Sequence, residues 1–442
     1  MRFAPLALLV ALVAAAPADA RVVVRFKTTT TASAERAALQ RAGAVRIERG
    51  PGGARVVTLR RPGGLQRLRA SRAVAWASPE YRARIAQASH NDTGIAARNG
   101  TPGGWATAQW DFDGPYGIDA PGAWDLAQRL GAPGGRGVKV AVLDTGVAYA
   151  TRGKYRRTPE LPPSRILHGY DFVDRDPYPN DANGHGTFIA STIAAEADND
   201  YGMVGVAYDA DILPVRVLDA DGGGFSSPIA DGIRYAARKG AQVINVSIEL
   251  FTPRGNPMSV TAAPDIRAAL RYARAKGSIV VSATGNSASP KVPTVRNQDL
   301  LIQVGGTTER GCVAEYSNYG PGLDLMAPGG GQDADVPGDP RCDPQATSTR
   351  TISQVTFRES SPRKFLVPDD YEGTSMAAPH VTGVIALMLG AKVLGAHPSP
   401  GAVARRLERT ARDLGAPGPD RYYGWGLVDA AAAMKPPATA AR

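Results

Sequence analysis

From Val138 onward, short apolar runs alternate with amphipathic stretches, and this alternation restricts the fold more than anything else in the chain. Strands are expected over Val138–Leu143, Ile212–Leu218, Gln242–Ile248 and Ser278–Ala283, and helices over Ser227–Arg238, Asp265–Ala275 and Val381–Leu389. Apolar strands joined by helical crossovers form βαβ units and a mainly parallel sheet covered on both faces. The expected class is therefore α/β with a doubly wound sheet. In such sheets functional groups gather at the carboxyl ends of the strands.

Three segments place reactive side chains at such ends. The run Val140-Ala141-Val142-Leu143-Asp144-Thr145-Gly146 reads as a buried strand ending in a carboxylate, with a glycine that permits a sharp turn. Asn183-Gly184-His185-Gly186-Thr187-Phe188 puts a histidine at the start of a helix of small residues. Gly373-Thr374-Ser375-Met376-Ala377-Ala378-Pro379-His380 puts a serine at the mouth of an apolar helix, where unpaired N–H groups and the positive end of the macrodipole lie. A serine hydroxyl needs a base to take its proton, and the base needs a carboxylate to hold its tautomer. Ser375, His185 and Asp144 can fill those roles.

The three motifs, in the order Asp…His…Ser of subtilisin, resemble those of the subtilisin-like (subtilase) serine proteases. A fourth segment, Val280-Val281-Ser282-Ala283-Thr284-Gly285-Asn286, resembles the family strand that ends in an oxyanion-hole asparagine, here Asn286. Val243-Ile244-Asn245-Val246-Ser247, Tyr316-Ser317-Asn318-Tyr319-Gly320 and Met326-Ala327-Pro328-Gly329 follow in the family's order, and the resemblance covers Trp110 to Asp429. It implies a serine endopeptidase working through an acyl-enzyme with no cofactor, acting as a monomer on protein or peptide substrates. The alternative is a catalytically inactive subtilase-like binding protein.

The resemblance also implies two walls of a primary specificity pocket, Ser247-Ile248-Glu249 and Ala283-Thr284-Gly285. Glu249 and Leu250 stand where the family has small glycines. A carboxylate there could favour a basic P1 side chain or could point to solvent, and the second is the expectation. Phe188 replaces a second histidine of the family and is expected to alter packing alone.

Residues 1–20 read as a signal peptide, with Arg2, an apolar run from Leu6 to Ala15 and the Ala18-Asp19-Ala20 cleavage pattern. Residues 21–87 alternate like a small α+β domain: a strand over Val22–Phe26, a helix over Ser33–Arg41 capped by Ser33, a strand over Arg55–Leu59, a helix over Leu65–Ser71 and a last strand within Val74–Ile85. This resembles the propeptide that chaperones and inhibits subtilases, with autocleavage expected between Arg84 and Asn91. Residues 88–117 read as a linker and N-terminal arm, 118–434 as the peptidase domain and 435–442 as a disordered tail.

The chain's net charge of +10 invites a nucleic-acid reading. Residues 21–87, however, hold fifteen Lys/Arg against three Asp/Glu, a net of +12, so the other residues together sum to −2. The basic charge therefore belongs to the propeptide segment, and no nucleic-acid partner is expected. No membrane anchor is expected either, and the product is read as secreted, to the periplasm or beyond it.

The loop before His185 carries Asp171, Asp174, Asp176 and Asn180, a set that suits calcium. It resembles a calcium loop of thermitase-like members. The other reading is a solvated acidic loop neutralised by Arg175. Cys312 and Cys342 are the only cysteines, and a secreted chain favours pairing them, two free thiols being the alternative. Two segments exceed a minimal family core, Phe251–Ala263 and Gly330–Asp370, and both are expected as surface loops.

Overall fold

The computed structural model describes residues 20–60, 62–85, 105–199, 202–258, 260–290, 300–346, 349–358 and 361–436. The signal segment apart from Ala20, the span 86–104 that holds most of the expected cleavage region, and the tail beyond 436 lie outside the described residues. The chain divides into two compact units, one through Glu80 and one from Tyr81 onward.

The first unit is a four-stranded antiparallel sheet in the order Ala44–Arg49, Arg55–Leu59, Ala20–Phe26, Val74–Pro79, with helices Ala32–Ala42 and Gly64–Ala70. Val22, Val24, Leu39, Val57, Leu59 and Leu68 form its core. The first helix is capped by Thr31, whose hydroxyl accepts from Ala34 N at 3.3 Å, and not by Ser33. Thr31 alone has the extended backbone (φ −73°, ψ 153°) from which a side chain can reach back to the helix.

The second unit is built on a seven-stranded parallel sheet in the order Leu325–Pro328, Ile302–Thr307, Ile279–Ala283, Val243–Val246, Lys139–Asp144, Asp211–Arg216, Tyr170–Asp171. Alternate side chains of each strand enter different cores. Val140 and Val142 join helices His185–Ala194 and Thr374–Gly390 on one face, while Ala141 and Leu143 join Ser226–Arg238 and Pro264–Ala275 on the other. The chain winds outward in both directions from Lys139–Asp144. The switch point lies between that strand and Val243–Val246, and Asp144 and Ser247 stand at its carboxyl edge.

The expected strand Gln242–Ile248 is two strands, Val243–Val246 and Ile248–Phe251, broken at Ser247. The second piece belongs to another four-stranded sheet, in the order Pro257–Met258, Ile248–Phe251, Arg82–Ile85, Gly223–Phe225. The strand Arg82–Ile85 is antiparallel to both neighbours, with Arg84 opposite Glu249 on one side and Gly223 on the other.

The segment 330–370 is not the surface loop expected. Ile352, Gln354, Val355, Thr356 and Phe357 are buried, and Thr356–Phe357 pairs with Phe365–Leu366. Alternating apolar and small polar residues let this stretch lie against the second unit's core, and its turn-forming neighbours hid that. Cys312 and Cys342 form a disulfide. No helix among the described residues is long and apolar enough to cross a membrane.

Candidate active site

Asp144 ends its strand fully buried, and His185 opens its helix fully buried, with Nδ1 2.7 Å from Asp144 Oδ1. A fully buried aspartate, Asp181, sets this pairing. Its Oδ1 accepts from Thr145 Oγ1 (2.9 Å), Asn183 N (2.9 Å) and Gly184 N (3.0 Å), and its Oδ2 from Thr187 N (2.9 Å) and Thr187 Oγ1 (2.6 Å). Thr145 Oγ1 in turn accepts from Gly186 N at 3.0 Å. One carboxylate thus ties the turn after Asp144 to the first turn of the His185 helix. The Asp-x-Asn-Gly pattern before His185 is the turn signal that could have revealed it.

Gly184 has φ +112°, and a Cβ there would lie 2.2 Å from Phe357 O. Thr356 Oγ1 donates to Gly184 O. The buried 352–357 stretch therefore holds the histidine loop from outside. Phe188 stacks on Tyr371 with ring centroids 4.3 Å apart. Burial holds the Tyr371 phenol far above its ordinary pKa, so it stays protonated.

The helix bearing Ser375 begins earlier than expected, at Thr374, which places Ser375 in its first turn. Pro379 lies inside this helix and has no N–H to give the Ser375 carbonyl four residues back. That carbonyl accepts instead from Ser247 Oγ at 3.0 Å, and Ser247 Oγ accepts from Asn245 Nδ2 at 2.9 Å. Thr382 Oγ1 donates to Asn245 Oδ1 at 2.8 Å. The strand end and the helix are thereby locked together around Ser375.

Asn286 is anchored through its Oδ1, which accepts from Thr374 N (2.9 Å) and Thr374 Oγ1 (2.8 Å). Thr374 Oγ1 accepts from Gly285 N at 3.1 Å. Asn286 Nδ2 is buried and has no partner, and the same holds for His185 Nε2. Ser375 Oγ donates to Ser247 O at 3.2 Å. The structure thus assembles the Asp144–His185 pair and the Asn286 anchor but leaves the Ser375–His185 hydrogen bond unmade. The helices bearing Ser375 and His185 pack directly on each other. A buried donor, Asn286 Nδ2, and a buried ring nitrogen, His185 Nε2, remain for a reacting group.

Glu249 does not point to solvent. It is 4 % exposed, and its carboxylate accepts from Ser287 Oγ (2.8 Å), Asn286 N (3.3 Å) and, more distantly, Asn318 Nδ2 (3.5 Å). Gly285 makes the room, since a Cβ there would lie 2.6 Å from Glu249 Oε1. Ser247, Ile248, Ala283 and Thr284 are also buried, at adjoining strand ends.

The acidic loop does not fit calcium. Asp171 Oδ2 and Asp174 Oδ2 each lie 2.6 Å from Arg216 Nη1, and Asp171 Oδ1 accepts from Val173 N and Asp174 N. Asp176 Oδ1 accepts from Tyr178 N, while Asn180 Nδ2 donates to Ala150 O. Among the described residues no group of three or more His, Cys, Asp or Glu is placed to hold a metal. Burial works against the charge of Arg216, but its bonds to Asp171 and Asp174 raise its pKa above the ordinary value. A guanidinium thus stands where an external cation was expected.

The sequence profile of the Subtilase family matches residues 135–426. Thermitase of Thermoactinomyces vulgaris is 33 % identical over 324 residues, covering 73 % of this chain and 95 % of that protein. A thermophilic serine proteinase of Bacillus sp. (strain AK1) is 36 % identical over 62 % of this chain, a match spanning 56 % of that protein's length. The solved structure of a protease from Pseudoalteromonas arctica PAMC 21717 superposes with a TM-score of 0.58 at 31 % identity, covering 74 % of this chain and 96 % of that one. The chain belongs to the subtilase family of subtilisin-like serine peptidases.

Proposed function

We propose that this chain is a secreted preproenzyme whose mature form cleaves peptide bonds with Asp144, His185 and Ser375 as its triad. The observation that carries the reading is the buried Asp144–His185 pair with Nε2 unpartnered, beside a serine in the first turn of the adjoining helix. In the reaction the Ser375 hydroxyl swings from Ser247 O to His185 Nε2 and loses its proton as Oγ attacks the scissile carbonyl. Asp144 holds the proton on Nδ1 and stabilises the imidazolium. Asn286 Nδ2 and the Ser375 N–H receive the developing oxyanion. His185 then protonates the leaving amine, and water repeats the sequence on the acyl-enzyme.

The strand Arg82–Ile85 supports the maturation half of the reading. Its backbone fills the space between Gly223–Phe225 and Ile248–Phe251, where an extended substrate would add by β-augmentation. Residues 21–87 then act as an intramolecular inhibitor released by cleavage after this strand. Subtilase membership accords with secretion.

A fluorophosphonate probe tests the chemistry: an adduct on Ser375, absent in Ser375→Ala, is expected. Expression of Ser375→Ala in a host without other proteases tests maturation. The product should keep residues 21–87, and normal processing of that variant would exclude autocleavage.

A further inference from the structure

The reading of 247–249 and 283–285 as the walls of the primary pocket leaves one residue unaccounted for, and this inference rests on that reading. Glu249 is buried, and its carboxylate lies against Gly285 of the opposite wall and bonds Asn286 and Ser287 just beyond it. The groups that hydrogen-bond to it are all neutral: a backbone N–H, a serine hydroxyl and an asparagine amide. No cationic side chain among the described residues pairs with it. Three other buried carboxylates near the site are provided for differently. Asp171 has Arg216, Asp144 has His185, and Asp181 accepts five hydrogen bonds.

A carboxylate has about four lone-pair sites. Glu249 Oε2 uses one of its own, on the 3.3 Å contact to Asn286 N. Removing a charge from water without a counter-ion is costly, and a cation arriving in the same space recovers much of that cost. We propose that Glu249 is the residue that sets P1 specificity, selecting substrates with arginine or lysine before the scissile bond.

The position of Glu249 adds a second effect. It bonds the backbone N–H of Asn286, the residue whose Nδ2 is reserved for the oxyanion. An uncompensated negative charge beside the oxyanion opposes its formation. A P1 cation neutralises Glu249, so it promotes the chemical step as well as binding. The preference for basic P1 residues therefore appears in kcat as well as in KM.

The test uses secreted, processed protein, with active sites titrated by a fluorophosphonate. Four peptide substrates differ only at P1, carrying Arg, Lys, Phe or Ala. The wild type should show kcat/KM for Arg at least tenfold above Phe, with part of the difference in kcat, and benzamidine should inhibit competitively. In Glu249→Gln, which keeps the shape and removes the charge, the Arg/Phe ratio should fall at least tenfold. Equal cleavage after Phe or Ala and Arg by the wild type would overturn the assignment and leave Glu249 a brace between the walls. So would a Gln variant that keeps its preference for Arg. Should that variant fail to fold, the wild-type P1 profile and benzamidine inhibition decide alone. Absence of both fluorophosphonate labelling and hydrolysis would instead overturn the catalytic reading, and this assignment with it.

Discussion

Thr374 donates to Asn286 Oδ1 twice, from its backbone N–H at 2.9 Å and from its hydroxyl at 2.8 Å. This fixes the amide plane and leaves Nδ2 as the group pointing away. Thr374→Val keeps the bulk and removes the hydroxyl bond to Asn286, together with the one the hydroxyl accepts from Gly285 N. The expected result is a fall in kcat of about tenfold with KM little changed, since loss of one such bond costs about 1 kcal/mol or slightly more. Asn286→Ala removes the donor itself, and loss of an oxyanion-hole asparagine in subtilisin costs about 10²–10³ in kcat. In the double variant the part of the Thr374→Val loss that passes through Asn286 should vanish, leaving only the smaller part that follows from the freed Gly285 N–H. Additive losses in a kinetic double-mutant cycle would contradict that route.

Glu160 gives the protein a pH-dependent stability unrelated to the proposed triad. It is fully buried, its Oε1 has no partner, and its Oε2 has only a long contact to Met203 N at 3.4 Å. Burial pushes its pKa up from the ordinary 4.5 to about 8. Between those values the folded protein holds a proton that the unfolded chain has released. The contribution is therefore complete below pH 4.5 and is lost as pH rises through about 8. Glu160→Gln removes this dependence. In a Ser375→Ala background, which prevents self-digestion, denaturant unfolding should show the Gln variant gaining up to about 4 kcal/mol relative to its parent between pH 5 and pH 9.

Arg216 is 6 % exposed and serves Asp171 and Asp174 together. Arg216→Met keeps most of the side-chain volume and strands the buried Asp171. Breaking a buried pair from one side costs about 3–5 kcal/mol, and the exposure of Asp174 places the expected loss near the lower figure. A chelator should leave the wild-type Tm unchanged, as the loop already contains its cation. A drop in Tm on chelation, reversed by calcium, would count against the Arg216 account of this loop.

The disulfide joins residues 30 apart and closes a loop packed around Met326, Leu414 and Tyr423. Replacing both cysteines with serine should lower unfolding stability by about 2–4 kcal/mol in the same Ser375→Ala background. Activity at low temperature should persist, because neither cysteine contacts the site residues.

The strand–helix alternation was legible, and so were the local settings of the four proposed site residues, because each depends on local sequence: an apolar run, a turn glycine, a helix start. What escaped depends on neighbours distant in the chain. The strands Ile302–Thr307 and Leu325–Pro328 carry glutamine, glycine and proline, and become strands through pairing with Ile279–Ala283 and with each other. Glu249 reads as a surface residue until Gly285 and Asn318 are brought against it. The acidic loop reads as a cation site until Arg216 arrives from another strand. Ser33 reads as the cap on paper, and the extended backbone at Thr31 moves the cap there.

Departure of the strand Arg82–Ile85 would leave Gly223–Phe225 and Ile248–Phe251 facing each other across a slot one strand wide, roughly 10 Å from edge to edge. Such a slot admits only polypeptide that can straighten several consecutive residues and offer its peptide groups on both sides. A helix is too thick for it, and a strand already paired in a folded sheet has no free edge to present. The protein then attacks its targets at frayed termini, long loops and unfolding intermediates. How fast it digests a given protein would follow how often that protein opens locally, with the P1 preference choosing among the bonds so exposed.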